Sequence, residues 1–220
     1  MSNMNDEDRG ALALANASPS ALRRVGIIGA TTIGIGIGMD LLEAGVPVTL
    51  FELGREALDQ RIALVRSAYR DAVAQGALTQ DQYDRRMALL AGSVNFHHLK
   101  DSDLVIDTVC TDIGARERLF RRLDQAARPG AILMTLGAHA GIDRIARCTR
   151  RAGEVLGLHI ADAAEPGQVW ELVRGSATSG ETLATVIALA RQLGHAAAVS
   201  DRAPSPPTGS GAWEVDQAQE

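Results

Sequence analysis

The sequence lacks features that define several classes of protein. It has only two cysteines, Cys110 and Cys148, far apart and without a Cys-x-x-Cys or Cys/His cluster, which argues against a disulfide framework or a zinc-held fold. The sequence has no run of about 18 or more apolar residues, which is the length that a transmembrane helix needs. The acidic start MSNMNDEDRG differs from a signal peptide, which begins basic and then becomes apolar. We therefore expect a reduced protein of the cytoplasm with no membrane partner.

The chain also lacks an excess of basic residues. With 22 Lys and Arg against 27 Asp and Glu, its net charge is −5 at pH 7. Nucleic-acid binding needs a basic surface that displaces counterions, so no nucleic-acid partner is expected. At 220 residues and 46% apolar composition, the chain is long enough for one main domain with a buried core.

Two polar ends flank the predicted domain. Residues 1–22 are small and polar without periodicity, and they predict a disordered arm. Residues 202–220 are rich in proline, serine and glycine, and they predict a disordered tail. The folded domain is therefore expected over residues 23–201, where apolar segments recur at regular intervals.

Apolar strand-like segments alternate with helical patterns through this domain. After the second strand, two helices follow each other: one runs from Arg55 to Gln75, and another begins after Thr79, whose hydroxyl can cap it. Because parallel strands need crossover connections, the alternation predicts an α/β fold. We expect a Rossmann-type doubly wound sheet, mostly parallel, with a helical hairpin after the second strand. The predicted strands are 24–29, 46–52, 102–109, 131–136, 154–160, 168–175 and 195–200, and further helices are predicted over 79–92, 115–127, 141–152 and 179–194.

The first strand leads into a glycine-rich stretch, VGIIGATTIGIGIG. It nearly matches the G-x-G-x-x-G pattern of dinucleotide-binding turns, with Gly29 and Gly34 in place and Thr31 at the middle position. Thr31 adds bulk where a pyrophosphate approaches, so we expect weakened binding. The alternative is that the glycines serve helix packing alone. In the binding interpretation, the pyrophosphate rests on free amides at the positive end of the helix, those of Ala30, Thr32, Ile33 and Gly34.

An acidic residue ends the second strand. Glu52 follows the glycine turn by about 20 residues, where dinucleotide-binding folds carry a carboxylate that accepts hydrogen bonds from ribose hydroxyls. A carboxylate at this place repels a 2′-phosphate, so we expect NAD as the cofactor rather than NADP. Arg55, shortly after it, is the one nearby feature that favours NADP.

Residues 24–201 carry a series of blocks that together resemble a known family. In chain order these are VGIIGATTIGIGI, VTLFE, GALTQDQ, SDLVIDTV, PGAILMT, VLGLH and WELVRGSATSGETLATVIALARQLG. Their order and spacing are similar to those of the NAD-binding domain of the 3-hydroxyacyl-CoA dehydrogenase family. The resemblance implies an NAD-dependent oxidation of a 3-hydroxyacyl thioester to the 3-keto form, with an acyl-CoA as the substrate.

The resemblance also implies a catalytic pair. The family has a histidine at the end of the GLH strand and a glutamate twelve residues later, and these positions are His159 and Glu171 here. An imidazole can take the hydroxyl proton as hydride leaves, while a carboxylate fixes its tautomer and stabilises the imidazolium. Without the resemblance, a structural pair is the favoured interpretation of a histidine and a glutamate on two strands.

Some family positions differ in this chain. The family's serine after the AILMT strand falls on Ala138, beside His139, and its asparagine falls on Asp162. The family's glutamate after the DLVID strand is Thr111, and the lysine that follows is Arg116. The helical C-terminal domain of the family is also expected to be absent, so a partner chain would have to supply it.

Two functions therefore stay open. The first is a 3-hydroxyacyl-CoA dehydrogenase-like oxidoreductase, slow alone and completed by a partner chain. The second is a catalytically degenerate NAD-binding module that acts through a partner protein. No metal site is expected, because His97 and His98 are adjacent in NFHHLK without a carboxylate at ligand spacing and predict a solvated pair.

Overall fold

The computed structural model describes residues 18–109, 112–137, 141–162 and 168–200, with only the backbone described for Asp162. Its strands are β1 (Val25–Ile28), β2 (Val48–Phe51), β3 (Leu90–Ser93), β4 (Leu104–Asp107), β5 (Ile132–Leu136), β6 (Val155–Asp162), β7 (Gln168–Arg174) and β8 (Ala196–Ser200). They form one 8-stranded sheet in the order β3-β2-β1-β4-β5-β6-β7-β8. Neighbouring strands run parallel except β6 and β7, which are antiparallel.

Helices connect the strands and cover both faces of the sheet. They are α1 (Thr32–Glu43), α2 (Arg55–Ala74), α3 (Gln80–Leu89), α4 (Ile113–Ala126), α5 (Ile142–Ala146) and α6 (Gly180–Gln192). Two short 3₁₀ helices span Phe96–Leu99 and Ala152–Glu154. This arrangement confirms the predicted Rossmann-type doubly wound fold, in which crossover helices join parallel strands.

The central strands β1, β2 and β4 are buried along their whole length. Neighbouring residues on one strand belong to different apolar clusters: Val105 packs with Phe120 of α4, whereas Ile106 packs with Leu41 of α1. This division follows from the alternation of side chains between the two faces of a strand. The sheet therefore has an apolar layer on each face, which explains why its strand sequences are apolar without interruption.

The helical hairpin after β2 has the predicted form. α2 ends next to a turn at Gly76, where φ is +74°. Thr79 then caps α3: its hydroxyl accepts a hydrogen bond from the amide of Gln82 at 3.2 Å, and the Gln82 side chain accepts from the Thr79 amide at 2.9 Å. This reciprocal pair satisfies two amides that the first helical turn leaves free.

After α3 the chain forms a strand that the sequence analysis did not predict. Residues 90–93, assigned mostly to a helix, form β3 and pair with β2 at the edge of the sheet. A Cβ atom on Gly92 would lie 2.4 Å from Ile62 Cδ1 and 3.2 Å from the Leu58 methyl groups. Glycine therefore lets α2 pack directly on this strand, and the pairing with β2 overrides the local helical pattern.

The helix predicted over residues 141–152 is much shorter in the structure, because α5 ends at Ala146. Beyond it, the side chains of Arg150 and Arg151 donate to the carboxylate of Asp124 on α4, at 2.9 and 3.0 Å. Asp124 is buried, so its charge needs such partners. These bonds hold the chain in a turn against α4, and they join residues that are distant in sequence.

Residues 18–22 lie against the domain, whereas the sequence analysis placed them in a disordered arm. The amide of Ser20 donates to Thr185 Oγ1 at 2.9 Å, and its hydroxyl donates to Glu181 Oε1 at 2.7 Å. Leu22 also packs against the apolar core. The partners belong to α6, near the other end of the domain, so the composition of the segment alone does not reveal them.

The two outer ends of the chain lie outside the described residues. This applies to residues 1–17 of the predicted arm and to the predicted tail at 202–220, and both stay predictions. Within the part of the chain that the structure describes, no helix has the length and apolar character needed to cross a membrane.

Candidate functional site

The candidate site lies at the carboxyl ends of the central strands. From β1, the chain proceeds to β2 on one side of the sheet, whereas β4 lies on the other side. In an open α/β sheet this reversal leaves a crevice at the carboxyl ends of the strands, and ligands bind there. The glycine turn, residues 29–34, lies at this position, between the end of β1 and the first turn of α1.

Two glycines shape the glycine turn. Gly29 has a φ of +87°, and a Cβ atom on it would lie 2.2 Å from Val109 Cγ1. A Cβ atom on Gly34 would lie 2.6 Å from the carbonyl oxygen of Gly29 and 2.9 Å from Thr108 Oγ1. Neither position has room for a side chain, so α1 begins directly against the end of β1. Gly34 thus has the packing role that both interpretations of the stretch require.

Thr31 serves as the N-cap of α1. Its hydroxyl accepts a hydrogen bond from the amide of Gly34 at 3.0 Å and donates to Thr108 Oγ1 at 3.0 Å. The Thr108 hydroxyl lies 2.9 Å from the carbonyl oxygen of Gly29, to which it donates. The threonine at the middle position of the fingerprint therefore ties α1 to the chain after β4, a role that glycine would not supply.

Two of the amides expected to hold a pyrophosphate donate inside the protein instead. The amide of Ala30 donates to Glu52 Oε1 at 2.6 Å, and that of Gly34 donates to Thr31. The amides of Thr32 and Ile33, in the exposed first turn of α1, have no protein acceptor among the described residues. A phosphate at this helix end would therefore meet two free amides and the positive end of the helix dipole.

Glu52 closes the crevice from the side of β2. It follows the last residue of that strand, is half-buried, and accepts the hydrogen bond from the Ala30 amide. That bond fixes the carboxylate beside the glycine turn, and its second oxygen is left to accept from a ribose hydroxyl. The sequence analysis predicted the ribose role but missed this contact with the turn, because the two groups are distant in sequence.

Exposed apolar side chains lie at the same end of the sheet, and the sequence analysis did not single them out. Leu53 follows Glu52 and is 85% exposed, while Val109, after β4, and Ile33, in the first turn of α1, are each 45% exposed. Apolar side chains of this kind suit the faces of a flat aromatic base. For Leu53 and Val109 the signal in the sequence was an apolar residue two positions after a strand end, where polar residues are more usual.

The two residues predicted as a catalytic pair are brought together by the sheet. His159 on β6 and Glu171 on β7 are direct register partners in the antiparallel ladder, and both are half-buried. Directly opposed residues of this kind have Cβ atoms about 4.5–5.5 Å apart and share one face of the sheet. The neighbouring Trp170 is fully buried in the core on the opposite face. The structure thus places an imidazole and a carboxylate side by side.

Arg116 on α4 lies at the same end of the sheet as the glycine turn. Its Nη2 donates to the carbonyl of Leu136, the last residue of β5, at 2.8 Å. Close by, Asp107 at the end of β4 accepts hydrogen bonds from the Thr135 hydroxyl at 2.8 Å and from the Val109 amide at 3.1 Å. These bonds fix the strand ends that face the crevice.

Several positions named by the resemblance lie outside the described residues. These are Thr111, Ala138 and His139, together with Cys110 and the side chain of Asp162.

The two adjacent histidines lie in a 3₁₀ helix, away from the glycine turn in sequence. His97 and His98 are both exposed, and His98 Nδ1 lies 2.8 Å from Ser93 Oγ. Among the described residues, no three His, Cys, Asp or Glu side chains form a group that could hold a metal ion.

The chain matches one protein family over most of its length. The NAD-binding domain of 3-hydroxyacyl-CoA dehydrogenase matches residues 24–202. Among curated relatives, the peroxisomal bifunctional enzyme of Danio rerio is 29% identical over 180 residues, covering 81% of this chain and 24% of that protein. The peroxisomal fatty acid beta-oxidation multifunctional protein MFP2 of Arabidopsis thaliana is 25% identical over 175 residues. The chain therefore spans about a quarter of the length of these relatives.

Solved structures show the same similarity. The 3-hydroxybutyryl-CoA dehydrogenase of Escherichia coli K12 superposes with a TM-score of 0.76 at 27% identity, covering 82% of this chain and 38% of that one. FadB2 of M. tuberculosis superposes with a TM-score of 0.74 at 29% identity, covering 82% of this chain and 64% of that one. The family match over residues 24–202 includes the sheet that carries the glycine turn and the histidine–glutamate pair.

Proposed function

The chain belongs to the 3-hydroxyacyl-CoA dehydrogenase family through its NAD-binding domain, and on that premise we propose that it oxidises a 3-hydroxyacyl thioester to the 3-keto form. Membership makes it an NAD-binding oxidoreductase of this family. The substrate class is carried over from what the related proteins are named for, 3-hydroxybutyryl-CoA among them. The reaction removes a hydride from C3 of the acyl chain and a proton from its hydroxyl.

The residues of the crevice fit NAD. The free amides of Thr32 and Ile33 suit its pyrophosphate, and the carboxylate of Glu52 suits a ribose that carries a free 2′-hydroxyl. When bound, the nicotinamide supplies the acceptor for the hydride. The protein's own contribution is to bind the nucleotide along the carboxyl ends of β1, β2 and β4 and to leave the side of β6 open to the substrate.

His159 is the proposed general base. An imidazole can accept the proton of a substrate hydroxyl and return it in the reverse direction. Glu171 lies on the neighbouring strand as its register partner. A carboxylate in that place holds the imidazole in one tautomer and stabilises its protonated form, the arrangement used in other histidine bases.

The single observation that carries this proposal is the register of β6 and β7. A shift of one residue in that ladder would move Glu171 to the opposite face of the sheet from His159. The observed register instead opposes the two residues directly, at the same end of the sheet as the glycine turn. A structural role alone would not explain why this polar pair lies at the end of the sheet where the cofactor is proposed to bind.

The test is the formation of NADH from a short 3-hydroxyacyl-CoA. We expect His159→Gln to lower the rate by about 10²–10⁴-fold, the usual contribution of a general base. NAD affinity should be unchanged, because the imidazole serves the substrate proton. His97→Gln, at an exposed histidine outside the site, is the matched control and should keep the wild-type rate.

An equal trace rate in wild type and His159→Gln would contradict the proposal. In that case, NAD binding without turnover would support the second candidate, an NAD-binding module that acts through a partner protein. The observation that favours this candidate is the loss of two predicted phosphate amides, Ala30 and Gly34, to internal hydrogen bonds.

We further propose that the chain works in the cytoplasm and that a helical partner chain raises its rate. The curated relatives are about four times as long as the segment that this chain matches. A domain that covers the acyl chain improves the positioning of the substrate and excludes water from the reacting atoms. Adding such a chain should increase kcat/KM for the thioester, whereas an unchanged rate would contradict the need for it.

A further inference from the structure

The basic residues of the chain are concentrated in one stretch. Residues 113–151, which include α4 and α5, hold nine of the chain's 22 Lys and Arg but only three of its 27 Asp and Glu. The stretch therefore has a formal charge of +6, whereas the remainder, with 13 basic against 24 acidic residues, has a charge of −11. A basic region within an acidic protein suits an acidic partner, because complementary charges steer association.

Five exposed arginines of this stretch form what is called the arginine surface below. They are Arg121, Arg122, Arg144, Arg147 and Arg150. On the other side of the same elements, Phe120 of α4 and Ile145 of α5 belong to the apolar cluster that packs on the sheet. The arginine surface therefore lies on the outer side of α4 and of residues 142–150.

Contacts between these two elements hold the arginines together. Arg144 Nε donates to Glu117 Oε1 on α4, and Arg121 Nη2 lies 3.5 Å from the second oxygen of the same carboxylate. The same Nη2 lies 3.4 Å from Sγ of Cys148, which directly follows Arg147. Side chains from both elements thus form one continuous basic surface.

The three acidic residues of the stretch are used within the fold. Burial alone would raise the pKa of the Asp124 carboxyl, but hydrogen bonds from Arg150 and Arg151 outweigh this and hold the pKa below its usual range. The side chain of Glu117 is only 14% exposed. Asp143 accepts from the amide and the hydroxyl of one serine before α6, at 2.7 and 3.0 Å. The carboxylates therefore lie inward, and the outer surface is positive.

Two members of the arginine surface lack a carboxylate partner. Neither Arg122 nor Arg147 forms an ion pair with any residue that the structure describes. Arg122 instead lies over the ring of Phe96, with its Cζ 4.1 Å from the ring centroid. A guanidinium has five N–H donors in a fork that matches a carboxylate. These two side chains can therefore pair with carboxylates of another molecule.

The surroundings of the arginine surface favour carboxylates over phosphates as its partners. Single-stranded nucleic acids bind where basic residues accompany exposed aromatic rings, and membranes where basic residues accompany exposed apolar side chains. The one aromatic residue of the stretch, Phe120, is buried, and none of the large exposed apolar residues of the described chain lies within residues 113–151. A long polyanion would also extend onto the acidic remainder of the protein, which repels it.

We propose that the arginine surface binds an acidic segment of a partner protein. α4 has 14 residues, so it is about 21 Å long, a distance that about six or seven extended residues span. Carboxylates on alternate residues of such a segment lie on one side of it and can each pair with a guanidinium. The proposal is independent of the oxidation proposed above, because none of these arginines belongs to the crevice that holds the cofactor.

The experiment measures the fluorescence anisotropy of a labelled peptide during titration with the full chain at low salt. The peptide is about 12 residues long and alternates glutamate with alanine, and its matched control has glutamine in place of glutamate. The glutamate peptide should bind about 30-fold more tightly, the effect of several exposed charge pairs, and this preference should fall as salt is added. Equal affinity for the two peptides would overturn the proposal.

A double variant tests whether the arginine surface is the binding site. Arg121→Gln/Arg147→Gln should weaken the glutamate peptide by about 10-fold, because two exposed charge pairs are lost. Arg121→Lys/Arg147→Lys keeps the charge without the guanidinium fork and should lose less. The control, Arg66→Gln/Arg70→Gln, removes the same charge from exposed positions on α2 and should leave the affinity unchanged. Equal losses in the two glutamine variants would show that net charge alone binds the peptide, and the proposal would be wrong.

A second variant covers the case in which the first does not fold. Arg122→Gln/Arg147→Gln changes the two side chains that form no ion pair with the described residues. It should show the same loss of affinity for the glutamate peptide. Unchanged affinity in this variant would overturn the proposal.

Two further titrations test other occupants of the surface. If oligothymidylate or a phosphatidylserine vesicle binds more tightly than the glutamate peptide, and Arg121→Gln/Arg147→Gln abolishes that binding, the surface takes phosphates and the proposal is wrong. The variant Asp6→Asn/Glu7→Gln/Asp8→Asn removes an acidic cluster of this chain. Unchanged peptide affinity in this variant supports a separate partner, whereas a gain in affinity would assign the surface to the chain's own acidic residues and overturn the proposal.

Discussion

The two halves of the site differ in how their polar groups are satisfied. In the cofactor half, around the glycine turn, Thr31, Thr108 and Glu52 form hydrogen bonds within the protein. In the other half, near β5 and β6, Arg116 is buried, and its Nε has no hydrogen-bond partner among the described residues. The first half is therefore held in one geometry before any ligand binds, which reduces the cost of binding. In the second half, the buried guanidinium donates to a backbone carbonyl and forms no ion pair with a carboxylate of the described residues.

The largest effect on the cofactor half is expected from Gly34→Ala. The added Cβ atom would meet the backbone carbonyl of Gly29 at 2.6 Å, and relieving such overpacking costs about 1–3 kcal/mol of folding free energy. NAD binding should fall with it, because the first turn of α1 must move. Chemical unfolding and calorimetric titration with NAD measure the two effects.

Gly36→Ala is the matched control for this variant. Gly36 lies in the same helix, but a Cβ atom there meets nothing within 4 Å. Alanine is the better helix former, so stability should rise by about 0.5–1 kcal/mol. A Gly34→Ala protein as stable as Gly36→Ala would contradict the close packing of α1 against the end of β1.

A smaller effect is expected from Glu52→Gln. The amide oxygen of glutamine can still accept from the Ala30 amide, so the glycine turn should keep its shape. Loss of the charge should weaken NAD by about 1–2 kcal/mol and remove the repulsion of a 2′-phosphate. Titration of both proteins with NAD and NADP measures this selectivity. Tighter binding of NADP than NAD by the wild type would contradict the role given to Glu52.

The smallest effect is expected from Thr31→Ala. Loss of an N-cap hydroxyl costs about 1 kcal/mol of stability, and the Gly34 amide becomes free to meet a phosphate. Stability should therefore fall while NAD affinity changes little, and Thr31→Ser should restore the stability. A large gain in NAD affinity would instead show that the threonine intrudes on the cofactor, as its place in the fingerprint suggested.

The parts of the fold that were predicted correctly depend on neighbouring residues. Gly29 and Gly34 are close in sequence to the strand and helix that they join, and Thr79 caps the helix that follows it through an amide three residues away. The catalytic pair was different: residue types alone left a structural pair open, and only the resemblance favoured catalysis. The two residues lie side by side because of the register of β6 and β7, and this register could not be predicted from the sequence.

The features that the sequence analysis missed depend on distant residues. Glu52, which follows α1 and β2 in the chain, accepts a hydrogen bond from the amide of Ala30, which precedes α1. Ser20 forms hydrogen bonds with two residues of α6. The strand β3 forms because β2 pairs with it, although its own residues predict a helix. In each case the partner is supplied by the tertiary fold, so neither periodicity nor local propensity predicts the contact.

The most direct test of the central claim is a double-mutant cycle on the catalytic pair, with kcat measured for a short 3-hydroxyacyl-CoA and NAD. If Glu171 acts through the imidazole of His159, Glu171→Gln should lower kcat in the wild-type background and have no further effect in His159→Gln. The double variant should thus be as slow as His159→Gln alone, the pattern of residues that act as one unit. A double variant whose loss equals the product of the two single losses would contradict the pair, and equal rates in all four proteins would contradict the proposed reaction.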